Sequence, residues 1–284
     1  MDFYDTKYSN YNSNRDLASF IDNEKVTWYR EKKWDHYHYD PLDINVPRVT
    51  KILEACIGRP ELTKWAASLG ENFSTTRGSI LATGTLAHAM IDDFILLGSK
   101  QDSYLGNDYA GAYIDQAENC YSNFVEWWFE FHNKGCKITP IAIERTITCP
   151  WYGGTVDFIA NITFPNGMSV NYILDFKTSK QISFEYFLQT RMYMNATNLN
   201  IDLGYEKELP KIQGVGIIRV DKFNKTTEFV AADIFNDNDF FLNLDYSINA
   251  MLRWYYEQHI VKSHIGLFKK TFKNRETEYY GENK

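Results

Sequence analysis

Apolar and polar positions alternate with a period near two through residues 137–177, and on either side the period lengthens to that of helices. "KITPIAIERTITC" (137–149), "GGTVDFIANITF" (153–164) and "MSVNYILDFK" (168–177) predict strands rich in Ile, Val, Thr and Phe. Pro165-Asn166-Gly167 is a turn signal that joins the last two as a hairpin. "SFEYFLQTRMYMNATN" (183–198) predicts a helix, "KIQGVGIIRV" and "TTEFVAADIF" two further strands around the turn "DKFNK", and about 237–262 a final amphipathic helix. Ahead of the strands, "VTKILEAC" and "ELTKWAASLG" predict short helices, the second stopped by Gly70. "RGSILATGTLAHAMIDDFILLG" starts loop-like and turns helical from about 84 to Gly98, and an aromatic helix follows over roughly 108–134. This order predicts an α/β fold with a central mixed sheet flanked by helices.

The 284 residues contain no long Gly/Ser linker, repeat or low-complexity tract, which predicts one compact domain. Its parts are an N-terminal elaboration (1–83), a core (84–235) and a C-terminal helix and tail (236–284). The chain has no run of eighteen apolar residues, and "MDFYDTKYSN" is polar and acidic, so neither a membrane span nor a secretory signal is expected and the cytoplasm is the expected location. A net charge of −7 argues against a broad nucleic-acid-coating surface, while leaving room for a local basic groove or for metal ions that offset phosphate charge. Cys56, Cys120, Cys136 and Cys149 are scattered singly and read as small buried hydrophobes, not as ligands or disulfides.

The chemistry concentrates where apolar strands are interrupted by charge. Asp175 and Lys177 are two apart on one strand and share a face, with Phe176 turned to the other side. Asp157 interrupts the preceding strand, and a carboxylate there is costly unless it meets a cation or metal. The hairpin brings Asp157 close to Asp175, and two convergent carboxylates are commonly reconciled by a divalent ion. Glu144 interrupts "IAIERTI" in the same way, Gln189 and Tyr193 lie four apart on one helix face, and His88 sits on the helix before the sheet.

Taken in order, Gly84-Thr85-x-x-His88, Glu144, Gly154-Thr-Val-Asp157, Asp175-Phe-Lys177-Thr178 and Gln189-x-x-x-Tyr193 resemble the PD-(D/E)xK nuclease superfamily, and within it the RecB-like exonuclease branch. "VPRVTKIL" and "LTKWAASLG" look like a weaker feature of phage and mitochondrial genome-maintenance exonucleases. The resemblance implies a restriction-endonuclease-like core of α-β-β-β-α-β order with helical N- and C-terminal elaborations. It implies Mg²⁺ or Mn²⁺, as one or two ions, held by His88, Asp157, Asp175 and the Phe176 backbone carbonyl, with Glu144 on a second ion or its water shell. Lys177 would orient the attacking water or stabilise transition-state charge, so that Lys177, Asp157, Asp175 and Glu144 form the catalytic set. Gln189 and Tyr193 would touch the DNA backbone or position Lys177, and Thr178, Lys180, Arg77 and Arg191 are candidate DNA contacts.

The implied activity is a metal-dependent exonuclease acting on DNA ends, single-stranded or frayed duplex, in recombination, replication or repair. A phage origin, with action in the host cytoplasm, fits the size and the Asn/Lys/Tyr-rich composition. DNA is the expected partner, with a recombination or replication protein as a further candidate, and the oligomeric state is open. Iron–sulfur relatives carry cysteines after the catalytic acids; here the last is Cys149, so no such cluster is expected. No G-x-x-x-x-G-K-[ST] is present, so no helicase motor is expected. "WYREKKWDHYHYD" reads either as a hairpin laying aromatics over the core or as a single-strand grip, and His36 and His38 as solvent-facing. The alternatives are an endonuclease on the same core, a non-catalytic DNA-binding subunit, or a coincidental motif order in an unrelated α/β enzyme.

Overall fold

A computed structural model describes residues 36–58, 67–100 and 111–258. A short hairpin, β1 (His36–Tyr39) and β2 (Ile44–Pro47), leads into α1 (Val49–Cys56), α2 (Phe73–Leu97) and α3 (Gly111–Asn133). Strands β3 (Lys137–Thr148), β4 (Gly153–Thr163) and β5 (Ser169–Lys177) follow, then α4 (Phe184–Asp202), β6 (Gly214–Val220), β7 (Thr227–Asp233) and α5 (Asn238–Tyr256). The sheet runs β3-β4-β5-β6-β7, with β5 and β6 parallel and the other neighbours antiparallel. Parallel strands need a long crossover, and α4 supplies it.

The mixed sheet flanked by helices follows from the strand pattern. Over β5, Ile173 turns to one side and Leu174 and Phe176 to the other, and each side carries its own core half. One half joins Ile159, Ile173, Val215 and Ile217 to α1, α4 and α5 through residues such as Ile52, Met192 and Leu244. The other joins Phe158, Leu174, Phe176 and Ile218 to Met90, Ile91 and Phe94 of α2 and to Phe124 of α3. The first half draws on α1 and α5 together, so the N- and C-terminal segments are built into the same core as the sheet.

Two expectations change. Residues 77–83 are helical, not loop-like, because α2 begins at Phe73. Gly84 lies within this helix near the end of β5, where a Cβ would stand 3.5 Å from the Thr178 hydroxyl, an ordinary contact. The stretch read as a hairpin or a strand grip is a hairpin over 36–47, with Tyr39 in the core and Tyr37 over Gly153; residues 28–35 lie outside the described residues. His38, expected to face solvent, is instead half-buried beside Asp40, Asp43 and Asn45, and the His36 side chain lies outside the described residues. Residues 108–110 and 259–262 of the expected helices, and most of "ELTKWAASLG", also lie outside the described residues.

The four cysteines are free; Cys56 and Cys136, expected to be buried, are half-buried, while Cys120 and Cys149 are fully buried. Burial pushes the latter two thiols up to about 12 and about 11, which leaves them inert packing groups. By length and composition the window Ile80–Leu97 could cross a membrane, yet 61% of it is buried within the protein, as in a core helix.

The approach of α4 to β4 depends on Gly154. A Cβ there would fall 2.4 Å from Cε1 and 2.6 Å from the hydroxyl of Tyr193. Gly154→Ala is therefore expected to lower stability by about 1–3 kcal/mol, measured as a shift in the urea midpoint at constant m-value. An unchanged midpoint would show that Tyr193 moves aside freely.

Candidate metal and acid–base site

Three strands bring their charged residues into one row. Ile143 pairs with Phe158 and Arg145 with Val156, so Glu144 stands opposite Asp157. The β4–β5 ladder ends at Phe158–Leu174, and the next step places Asp157 against Asp175. There β4 and β5 part. The Phe176 N–H, which points toward β4, donates to Asp157 Oδ2 at 2.9 Å instead of to a ladder carbonyl.

The strands also turn over at this row. Val156 packs in the α4 half of the core and Phe158 in the α2 half, although residues two apart normally share a face. On β3 the same switch separates Ile143 from Ile147, and Glu144 between them has φ +49°, a left-handed conformation uncommon for a residue with a side chain. Because both strands switch together, their register survives beyond the row. The site is consequently reached from both sides of the sheet.

From the α2 side comes His88, whose Nδ1 stands 3.6 Å from Asp157 Oδ2 and whose ring sits edge-on to Phe176. The Phe176 backbone beside it favours the protonated ring, though not enough to offset burial. From the α4 side come three residues of one helix face, at spacings of three and four. Gln189 Nε2 donates to Asp175 Oδ1 and to the Tyr193 hydroxyl, both at 3.3 Å, and the Tyr186 ring lies 5.0 Å from Lys177 Nζ. Lys177 closes the cluster as an ion pair with Asp175 Oδ2 at 2.5 Å. Ser183 caps α4 by accepting from the Glu185 N–H, which fixes the start of this helix just after the motif.

Burial sets the electrostatics. It pushes the Asp175 carboxyl up to about 6, with Lys177 opposing and Asp157 adding to the rise. It raises Asp157 as well, against Lys177 and the Phe176 N–H. Burial alone would lower Lys177, but Asp175 and Asp157 more than offset it, and the net direction is up. His88 is pushed down to about 4 by burial and by Lys177, so it is a neutral imidazole at pH 7, the form that ligates metals. Ligand atoms of His88, Glu144 and Asp157 all lie within 4.8 Å of one another and could hold a metal ion.

The residues singled out in the sequence thus separate into two groups. His88, Glu144, Asp157, Asp175, Phe176, Lys177, Gln189 and Tyr193 converge. Tyr193 is 4% exposed and accepts from Gln189 inside the cluster. Thr178 lies against Gly84 at the end of β5, and Lys180 is exposed just beyond it. Arg191 does not join the site: its guanidinium is bidentate on Asp245 (2.9 and 2.6 Å) and lies over the Phe241 ring at 4.5 Å. The Arg77 side chain lies outside the described residues. Tyr186 was missed, although its place three before Gln189 and seven before Tyr193 was a readable signal. Arg219 was also missed; it sits beside Lys177 in the β5–β6 register, pairs with Asp221 and Glu228, and donates to the Ser179 carbonyl at 3.4 Å, tethering the loop after the motif.

No family model matches the chain, and no curated protein does. Among solved structures, the one titled "Crystal structure of SSO0001" is similar over 60% of this chain and 74% of its own, at 9% identity and a TM-score of 0.23. That similarity is too low to carry an argument.

Two expectations follow for protein kept in a chelator. Folded Asp175 binds more protons than unfolded Asp175 between pH 3.8 and about 6, so its contribution to stability falls as pH rises through that window. Folded His88 binds fewer between about 4 and 6.5, so its contribution rises with pH. Relative to wild type, His88→Gln is expected to tilt the stability–pH profile downward with rising pH and Asp175→Asn to tilt it upward, measured by urea titration across that range. Parallel profiles for all three proteins would contradict the assignment. Glu144→Asn, which eases the left-handed residue and removes one clustered acid, is expected to raise stability by about 1 kcal/mol; a lower thermal midpoint would show that the Glu144 carboxylate is a net stabiliser.

Proposed function

We propose that this protein is a metal-dependent DNA exonuclease with a restriction-endonuclease-like core, of the RecB-like branch of the PD-(D/E)xK superfamily. The observation that carries the proposal is the row Glu144–Asp157–Asp175 at the parting strands, with Lys177 paired to its last member and His88 entering from the opposite side. A structural ion pair needs only Asp175 and Lys177. It does not call for two further carboxylates and an imidazole at the same place.

The donor set fits a small divalent cation: two carboxylates and a neutral imidazole whose ligand atoms lie within 4.8 Å of one another, where burial makes uncompensated acids costly. His88, Glu144 and Asp157 would hold Mg²⁺ or Mn²⁺, with Asp175 and the Phe176 carbonyl beside them, and the imidazole makes Mn²⁺ the more competitive of the two. Such an ion, when bound, acts as a Lewis acid toward the phosphate and lowers the pKa of water.

The chain's own residues supply the rest. Lys177 keeps a positive charge beside the acids, placed to stabilise negative charge that develops on the phosphate oxygens. Gln189 fixes the Asp175 carboxylate through Oδ1 and leaves Oδ2 to Lys177, so the orientation of the acid and the position of the base are set together. Tyr193 supports Gln189 from the next turn of α4. Thr178 and Lys180, in the loop leaving β5, are the nearest candidates for the DNA backbone. Single-stranded or frayed ends are the proposed substrate, since threading past a site sunk between the two sides of a sheet suits a flexible strand better than intact duplex.

The test is digestion of end-labelled linear and closed circular DNA, single- and double-stranded, with Mg²⁺ and with Mn²⁺. Linear DNA should shorten from its ends while circles survive, and Lys177→Ala should lose about 100-fold or more in rate while still binding Mn²⁺. Cut circles would make the protein an endonuclease. DNA binding without cleavage under either metal, equal in wild type and Lys177→Ala, would replace the proposal with a binding subunit.

A further inference from the structure

We infer that Tyr186 is a positioning residue whose ring face holds the Lys177 ammonium over the acid cluster. The kinetic part of this inference rests on the proposed nuclease function; the structural part does not. Lys177 Nζ lies 5.0 Å from the Tyr186 ring centroid, inside the distance at which an aromatic face attracts a cation. The same ammonium pairs with Asp175 Oδ2, so a carboxylate and a π face both hold it. The Lys177 side chain is 20% exposed, partly out of water, which strengthens both attractions.

The helix is built for the task. Tyr186, Gln189 and Tyr193 occupy one face of α4 and reach, in turn, Lys177, Asp175 and the Gln189 amide. The Thr190 hydroxyl donates to the Tyr186 carbonyl, which pins the backbone beneath the ring. A lysine on four rotatable bonds loses much rotamer freedom when fixed, and a carboxylate alone is a poor clamp if its charge is also drawn toward a divalent cation. An aromatic face attracts the ammonium without neutralising it and offers no oxygen ligand that competes for the cation.

Two readouts test this. In protein carrying ¹³C at the lysine ε-carbons, the Lys177 ε-methylene protons, assigned by their loss in Lys177→Ala, should resonate upfield of other lysines because of the ring current. Tyr186→Phe should keep that shift and Tyr186→Leu should abolish it. In DNA digestion, Tyr186→Leu should lower kcat about 3- to 30-fold with KM unchanged, and Tyr186→Phe should restore the wild-type rate. An ordinary Lys177 shift in wild type, an upfield shift that survives in Tyr186→Leu, or an unchanged kcat once the shift is lost would overturn the inference. If the shift follows the ring as expected but wild type cuts no DNA under either metal, Tyr186 still holds Lys177 and the nuclease proposal fails.

Discussion

Where β4 and β5 part, the Phe176 N–H has no ladder carbonyl to meet, and the Asp157 carboxylate takes its hydrogen bond. A buried amide left unpaired is costly, so the parting of the strands and the presence of an acid at 157 require each other. The rest of the site is organised by that exchange. It ends the regular ladder, opens the sheet to both of its sides, and lets His88 from α2 and Gln189 from α4 meet at one cluster. Glu144 completes the row from β3 at the expense of a left-handed backbone.

The cluster is electrostatically costly by itself. Two acids are raised by burial, one imidazole is held neutral, and a single lysine offsets the negative charge. The arrangement persists because two core halves clamp the sheet on either side of it. Phe176 shows the division of labour along three residues: its ring anchors the α2 half against Phe124 and Phe158, while Asp175 and Lys177 face the α4 side. Opposed pKa shifts of this kind, in neighbouring groups of one small site, are more common where chemistry is done than where packing alone matters.

Other charged residues serve to hold the frame. Arg191 ties α4 to α5 through Asp245 and Phe241, and so braces the helix that carries Gln189 and Tyr193. Arg219 steadies the loop after Lys177 from the neighbouring strand. Tyr37 of the first hairpin lies over Gly153, and Tyr193 over Gly154, so both glycines of "GGTVD" admit aromatic rings that any side chain would exclude.

Periodicity by itself was enough to determine the strands, their hairpin turn at 165–167, the long helices and the mixed sheet, because side-chain alternation and turn chemistry are local properties. The interrupted strands also determined which acids would converge, since Asp157, Asp175 and Glu144 are conspicuous in apolar surroundings. The start of α2 was not legible, because Gly78 and Gly84 weaken the local helical signal within a helix that runs unbroken from Phe73 to Leu97. Nor could local pattern separate Arg191, an arginine on the motif helix, from a DNA contact; Asp245, more than fifty residues on, decided that by folding against it. Only the tertiary structure decided that β3 and β4 turn over together at 144 and 157 and that Tyr186 lies over Lys177. The spacing put Tyr186 on the Gln189–Tyr193 face of its helix, but how that face approaches β5, and how β3 and β4 turn, depends on contacts between separate elements.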